Sequence, residues 1–158
     1  MSGVLCGVGA SVVNALSKWL EVTVHQGGKK YFIRFENGGH TVEPLKVIGT
    51  SDKHGTVVRF KADPEIFTET TSYDFEVLNT RIRQLAFLNR NIKLNIRDER
   101  GVDVISNSYR YEGGIIEYVK YMNKNKTPMP EEVVYVEGMK QGILAEIAMQ
   151  YNDGYSEN

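Results

Sequence analysis

The sequence predicts an α+β protein, a mostly antiparallel sheet covered by helices, and three observations carry that expectation. Leu20, Val22 and Val24 alternate with Glu21, Thr23 and His25, the period-2 pattern of a half-buried strand. Gly27-Gly28 and Asn37-Gly38-Gly39 then stand where tight hairpin turns need φ > 0. Finally, Val12, Val13, Leu16 and Leu20 early on, and Tyr73, Val77, Leu78, Ile82, Leu85 and Ala86 later, recur at helical spacing.

Taken in order, a Gly-rich stretch over 1 to 9 feeds a helix that begins at Ala10, and a strand starts at Leu20. Tyr31, Ile33 and Phe35 carry the return strand, Val42 to Ile48 a third, and Thr56 to Phe60, opened by Gly55, a fourth, so an antiparallel meander is expected. Asp63-Pro64 ends it. Thr71 and Asp74 read as a capping box with a carboxylate in place of Glu, placing Arg81, Arg83, Glu76 and Gln84 on the wet side of the helix that follows. Ile92, Leu94 and Ile96, and then Val104 to Tyr111, read as further strands of the meander. Glu112-Gly113-Gly114 breaks the composition, so domains are expected at 1 to 112 and 113 to 158. The second opens with a helix over Ile115 to Met122 and continues in a hairpin, Val133 to Val136 and Ile143 to Tyr151, joined through 137 to 142.

Composition narrows the function. With 158 residues, 41% apolar and 25% charged, the chain has the make-up of an ordinary globular protein able to form a core. Nineteen Lys and Arg against 20 Asp and Glu leave a formal charge of -1, so any contact with nucleic acid must be local. The single cysteine, Cys6, rules out an intrachain disulfide framework, and no apolar run is long enough to span a bilayer, which makes the cytoplasm the expected compartment.

Chemistry is suggested in few places. Gly7-Val8-Gly9 before a helix lets backbone N–H groups approach an anion at the positive end of the helix dipole. Gly55-Thr56 combines close backbone approach with a hydroxyl. Each is also what a plain turn or strand start looks like. His25, His40 and His54 lack metal-ligand spacing, and Cys6 lacks a histidine partner. Arg81, Arg83, Arg90, Lys93 and Arg97 read as a solvated face, and Asp98, Glu99 and Glu112 lie at turns with no apolar pocket to raise a pKa.

Several stretches together go further: Gly7-Val8-Gly9-Ala10-Ser11-Val12-Val13-Asn14-Ala15-Leu16-Ser17, Gly55 to Phe60, Phe67-Thr68-Glu69-Thr70-Thr71, Leu85-Ala86-Phe87-Leu88-Asn89, Tyr111-Glu112-Gly113-Gly114 and Gln150 to Asn158. In this order they resemble the ATPase subunits of bacterial type II DNA topoisomerases, that of DNA gyrase in preference to its topoisomerase IV paralogue. The resemblance implies a two-layer ATPase sandwich of the gyrase, histidine kinase and MutL type, with its C-terminal half at 1 to 112 and the start of the transducer domain from 113. It implies ATP and Mg as ligands of the intact parent, with the gyrase A subunit and DNA as partners. Carried over by residue, Gly7, Val8 and Gly9 would close the ATP lid over the triphosphate, with Asn14 in the helix behind. Thr56, beside Gly55, would read the adenine with water. Val4 and Cys6 depart from the Gly-Gly-Leu-His-Gly-Val-Gly of the family lid. The family's Glu-x-x-x-Asn helix and Asp-x-Gly-x-Gly turn lie before that lid, so this piece by itself is expected to bind ATP weakly and to turn none over. It is expected to form a homodimer or larger assembly through uncovered apolar faces and strand edges, or else to be partly disordered after about Lys126. The contrasting expectation is a non-enzymatic, self-associating interaction module.

Overall fold

A computed structural model describes residues 7–154, and the chain divides into two compact units, Met1–Ser72 and Tyr73–Asn158. The first unit opens with α1 (Gly7–Ala15) and continues into β1 (Ser17–Gln26), β2 (Lys29–Glu36), β3 (His40–Thr50) and β4 (Gly55–Ala62). The helix begins at Gly7, three residues before the position expected from the apolar pattern, because glycines are tolerated in a first turn that the pattern does not mark. It ends where the hydroxyl of Ser17 donates to the carbonyl of Val13 at 2.6 Å. Ser17 is consequently buried and already belongs to β1, so this strand starts earlier than Leu20.

All pairings in this sheet are antiparallel, in the order β3-β2-β1-β4. The meander therefore holds for three strands only: β4 returns to the free edge of β1. The connection between β3 and β4 makes this possible by crossing the turn between β1 and β2, where the Ser51 amide donates to the carbonyl of Gly28 at 3.0 Å. With β4 there, β1 is paired along both edges. Register sorts the side chains. Leu20, Val22 and Val24 stand opposite Phe35, Ile33 and Tyr31 on one side and Phe60, Val58 and Thr56 on the other, which makes one face apolar. The reverse face carries Glu21 and Arg34, an ion pair joined by Glu36 at 2.8 Å and Arg59 at 3.7 Å.

The second unit contains α2 (Phe75–Leu88), β5 (Leu94–Asp98), β6 (Ile105–Tyr109), α3 (Gly114–Met122), β7 (Pro128–Lys140) and β8 (Ile143–Asn152). β5 and β6 do not extend the first sheet; they pair only with each other, as do β7 and β8. The cap of α2 also differs from expectation. Asp74 itself is the N-cap, accepting from the amide of Val77 at 3.0 Å, and Thr71 lies outside the helix. The buried face of α2 runs through Asn79, Ala86 and Phe87, whereas Val77 is 66% exposed. The difference arises because Phe87 meets a cluster of aromatic rings, those of Tyr111, Tyr118 and Tyr121. α3 packs against α2, β7 and β8. The last hairpin turns at Gln141-Gly142, with φ of 52° and 79°, the pair of positive values that a two-residue turn requires, so 137 to 140 are strand rather than loop.

Candidate functional site

Gly7, Val8 and Gly9 form the first turn of α1, whose backbone N–H groups have no partner within the helix. A side chain added at Gly9 would meet nothing within 4 Å, and Val8 is exposed, so the protein's own packing does not account for a small residue there. Gly3, Val4, Leu5 and Cys6, the rest of the lid motif, lie outside the described residues.

Gly55 and Thr56 open β4, opposite His25 and Val24. At Gly55 the φ of 141° strains any L side chain, so the backbone by itself explains that glycine. Thr56 is different. It shares the apolar face with Leu20, Val22 and Val24, it is exposed, and no described residue hydrogen-bonds its hydroxyl. A lone hydroxyl on an apolar floor can orient a flat heteroaromatic ligand while the neighbouring side chains supply contact area.

The structure does not merge these two stretches. β1 begins beside the end of α1, with Ser17 opposite Ala62, and reaches Gly55 only at His25, about 26 Å further at 3.3 Å per residue. A nine-residue helix is about 13 Å long, shorter than that run of β1, so its glycine-rich turn and Thr56 stay apart. Asn14, in the same helix, has a buried Oδ1 with no hydrogen-bond partner among the described residues.

The other sequence candidates fall elsewhere. Nδ1 of His25 lies 2.7 Å from the Ser51 hydroxyl, His40 pairs with Glu36 across strands, and His54 is in the exposed connection before β4. Among the described residues, no group of three or more His, Cys, Asp or Glu could hold a metal ion. Arg83 is not on a solvated face. Its guanidinium lies over the rings of Tyr109 and Tyr121 and donates to both hydroxyls, and the Tyr109 hydrogen bond first of all raises its pKa. Arg90 and Arg97 are paired too, with Glu146 at 3.0 Å and Glu99 at 2.8 Å. The carboxyl of Asp98 is lowered to about 2 by hydrogen bonds from the Arg100 side chain and then its backbone N–H. Strand pairing sets Lys29 opposite Thr50 and Lys30 opposite His25 and Gly49, with Lys53 in the connection that follows β3.

A helix with a glycine-rich first turn, a four-stranded antiparallel sheet, and a helix followed by paired hairpins make up, in this order, a fragment of the kind found in the ATPase subunits of type II topoisomerases. Among solved structures the chain matches the 43K ATPase domain of Thermus thermophilus gyrase B, in complex with an aminocoumarin, with a TM-score of 0.79 and 34% identity over 96% of this chain and 41% of that one. Its whole length is 57% identical to the DNA gyrase B subunit of Bacillus cereus and 51% identical to that of Treponema denticola. The Staphylococcus aureus protein of the same name is 53% identical over 159 aligned residues. The chain belongs to the DNA gyrase B family. It spans 39% of the Bacillus cereus protein, 25% of the Treponema denticola one and 24% of the Staphylococcus aureus one. No protein-family model matches it.

Proposed function

We propose that this chain forms part of the nucleotide-binding half of a gyrase B protein, which as a whole couples ATP binding and hydrolysis to DNA strand passage and supercoiling. The names of the curated relatives support gyrase over its topoisomerase IV paralogue. On this reading 1 to 112 are ATPase domain, 113 to 158 open the transducer, and the protein works in the cytoplasm with a gyrase A subunit and DNA. Among the described residues, no helix is long and apolar enough to cross a membrane.

The observation that carries the reading is the unpartnered Thr56 hydroxyl on the apolar face. Thr56 would hydrogen-bond the adenine, with Gly55 beside it, and Gly7, Val8 and Gly9 would offer free N–H groups to the triphosphate. The gap between them suits a ligand with a base at one end and phosphates at the other. Bound Mg would neutralise phosphate charge, but the described residues offer no cluster to hold it. The sequence also contains no Glu-x-x-x-Asn or Asp-x-Gly-x-Gly motif to activate water or grip the adenine amino group. Orientation without these groups is weak, so this chain by itself binds ATP with a Kd no tighter than about 1 mM, roughly 4 kcal/mol, and hydrolyses none.

Amide chemical-shift mapping at millimolar ATP tests the site. Shifts are expected at Gly55, Thr56 and Gly7 to Gly9 and should fade at Thr56 in a Thr56→Ala variant; shifts scattered elsewhere sink the assignment. A micromolar constant by calorimetry would overturn the weak affinity. An aminocoumarin, the ligand in the complex of the Thermus thermophilus relative, is a second probe to titrate in the same experiment.

A self-associating module is favoured by a different observation. Val134, Val136, Ile147 and Met149 share one face of the β7–β8 hairpin and are each about half exposed. A homo-oligomer burying that face would appear in light scattering as a mass above 17.9 kDa that returns to it in a Val136→Lys variant.

A further inference from the structure

The hydroxyl of Thr56 sits where strand pairing alone holds the chain poorly. β4 is an edge strand, paired on one side only, with β1, and Thr56 is its second residue. The residue before it, Gly55, has a φ of 141°, a backbone state that glycine reaches freely and does not hold by itself. Of residues 51 to 54, which lead in from β3, Asp52, Lys53 and His54 are exposed, and their side chains make no hydrogen bond or ion pair with the described residues. Such a strand entry frays unless something outside the strand ties it.

Ser51 supplies the tie. It alone within 51 to 54 is partly buried. Its amide donates to the Gly28 carbonyl at 3.0 Å, its hydroxyl accepts from the amide of Lys53 at 3.1 Å, and Nδ1 of His25 lies 2.7 Å from the same oxygen. The Lys53 amide occupies one lone pair of that oxygen, which leaves its proton and the other lone pair for the imidazole. His25 is also the residue of β1 that stands opposite Gly55. It therefore holds both ends of the arc from 51 to 55, Ser51 through its ring and Gly55 through strand pairing. Side chains alternate along β1, so the ring of His25 lies on the face opposite to Val24 and Thr56. The tie is behind the site and leaves the apolar face open.

We infer that His25 and Ser51 are positioning residues for Thr56: their hydrogen bond fixes the entry of β4 and with it the direction of the Thr56 hydroxyl. The inference rests on the reading of Thr56 as the residue that meets the adenine; the tie itself does not. A hydrogen bond weakens steeply as its angle falls toward about 120°, so a hydroxyl on a loose strand entry orients a base poorly. β1 separates this end of the sheet from the glycine-rich turn of α1, so loss of the tie costs base recognition and spares phosphate contact.

The test is NMR on the whole chain, with Ser51→Ala, His25→Leu and the double variant set against Ser51→Thr, which keeps the hydroxyl. Without nucleotide, backbone order parameters at Gly55 and Thr56 should be about 0.85 in wild type and Ser51→Thr and fall below about 0.6 in the others, with Val58 rigid throughout as the control for folding. The double variant should be no looser than either single one, since both remove the same bond. With ATP, half of the full shift at Thr56 should need at least about threefold more nucleotide in Ser51→Ala and His25→Leu, and the wild-type amount in Ser51→Thr. Tripolyphosphate, which has no base, should shift Gly7 to Gly9 equally in every variant. Equal losses for ATP and tripolyphosphate, unchanged order at Gly55 and Thr56 in Ser51→Ala, or a Ser51→Thr chain as loose as Ser51→Ala would overturn the inference. If Thr56 of the wild-type chain ignores ATP while the order parameters fall as stated, the tie stands and the adenine reading is what fails.

Discussion

The ring of Phe87 stacks on that of Tyr111 with centroids 3.6 Å apart and planes 10° from parallel. Phe87 is 1% exposed, and the rings of Tyr118 and Tyr121 close the same cluster. Truncation would leave a cavity that three tyrosines cannot fill. Phe87→Ala is therefore expected to destabilise the chain by about 3 to 5 kcal/mol in urea unfolding. A loss below 1 kcal/mol would mean that the cluster collapses freely.

Asp74 rather than Thr71 starts α2. Asp74→Ala should cost about 1 kcal/mol through the lost bond to the Val77 amide. Thr71→Ala should stay within about 0.5 kcal/mol of wild type. The reverse ranking would restore the capping box expected from sequence.

Arg90 donates to Glu146 at 3.0 Å and to the Tyr135 hydroxyl at 3.2 Å, with its guanidinium over the Tyr135 ring. It passes directly over Gly114, where φ is 59° and an added Cβ would collide with Nε and lie 2.8 Å from Cγ of the arginine. Gly114→Ala should cost about 1 to 2 kcal/mol from the left-handed backbone, and more from displacing Arg90. A double-mutant cycle with Arg90→Ala should show coupling above about 0.5 kcal/mol. Strict additivity would deny the contact.

Asp98 titrates at about 2 instead of 3.8 because the side chain and then the amide of Arg100 hydrogen-bond its carboxylate. A carboxyl depressed in the folded state stabilises fully above its unfolded value, and that contribution is lost as pH falls through the folded one. For Asp98 the loss runs from about pH 4 down to 2. An NMR titration should find the low midpoint in wild type and return it toward 3.8 in Arg100→Ala. A wild-type midpoint at 3.8 would show that the pair does not persist in solution.

Much of this was legible in the chain. Alternation around Leu20 to Val24 and the Gly27-Gly28 turn specify β1, β2 and their pairing, because both are local consequences of backbone geometry. The Gly7 to Gly9 and Gly55-Thr56 stretches were visible for the same reason, being contiguous. Arg83 was not: its helical position looks wet until the rings of Tyr109 and Tyr121, 26 and 38 residues away, cover it.

By itself the sequence determined the class and order of the elements and the family to which the chain belongs. Those depend on periodicity, turn chemistry and motif order, which are properties of neighbours. Tertiary structure alone decided that β4 pairs with β1, that β5 and β6 pair only with each other, and that Arg83 lies over the rings of Tyr109 and Tyr121. Each of these depends on which backbone edge is free when a distant strand arrives and on where register places side chains dozens of residues apart, and no local pattern records either.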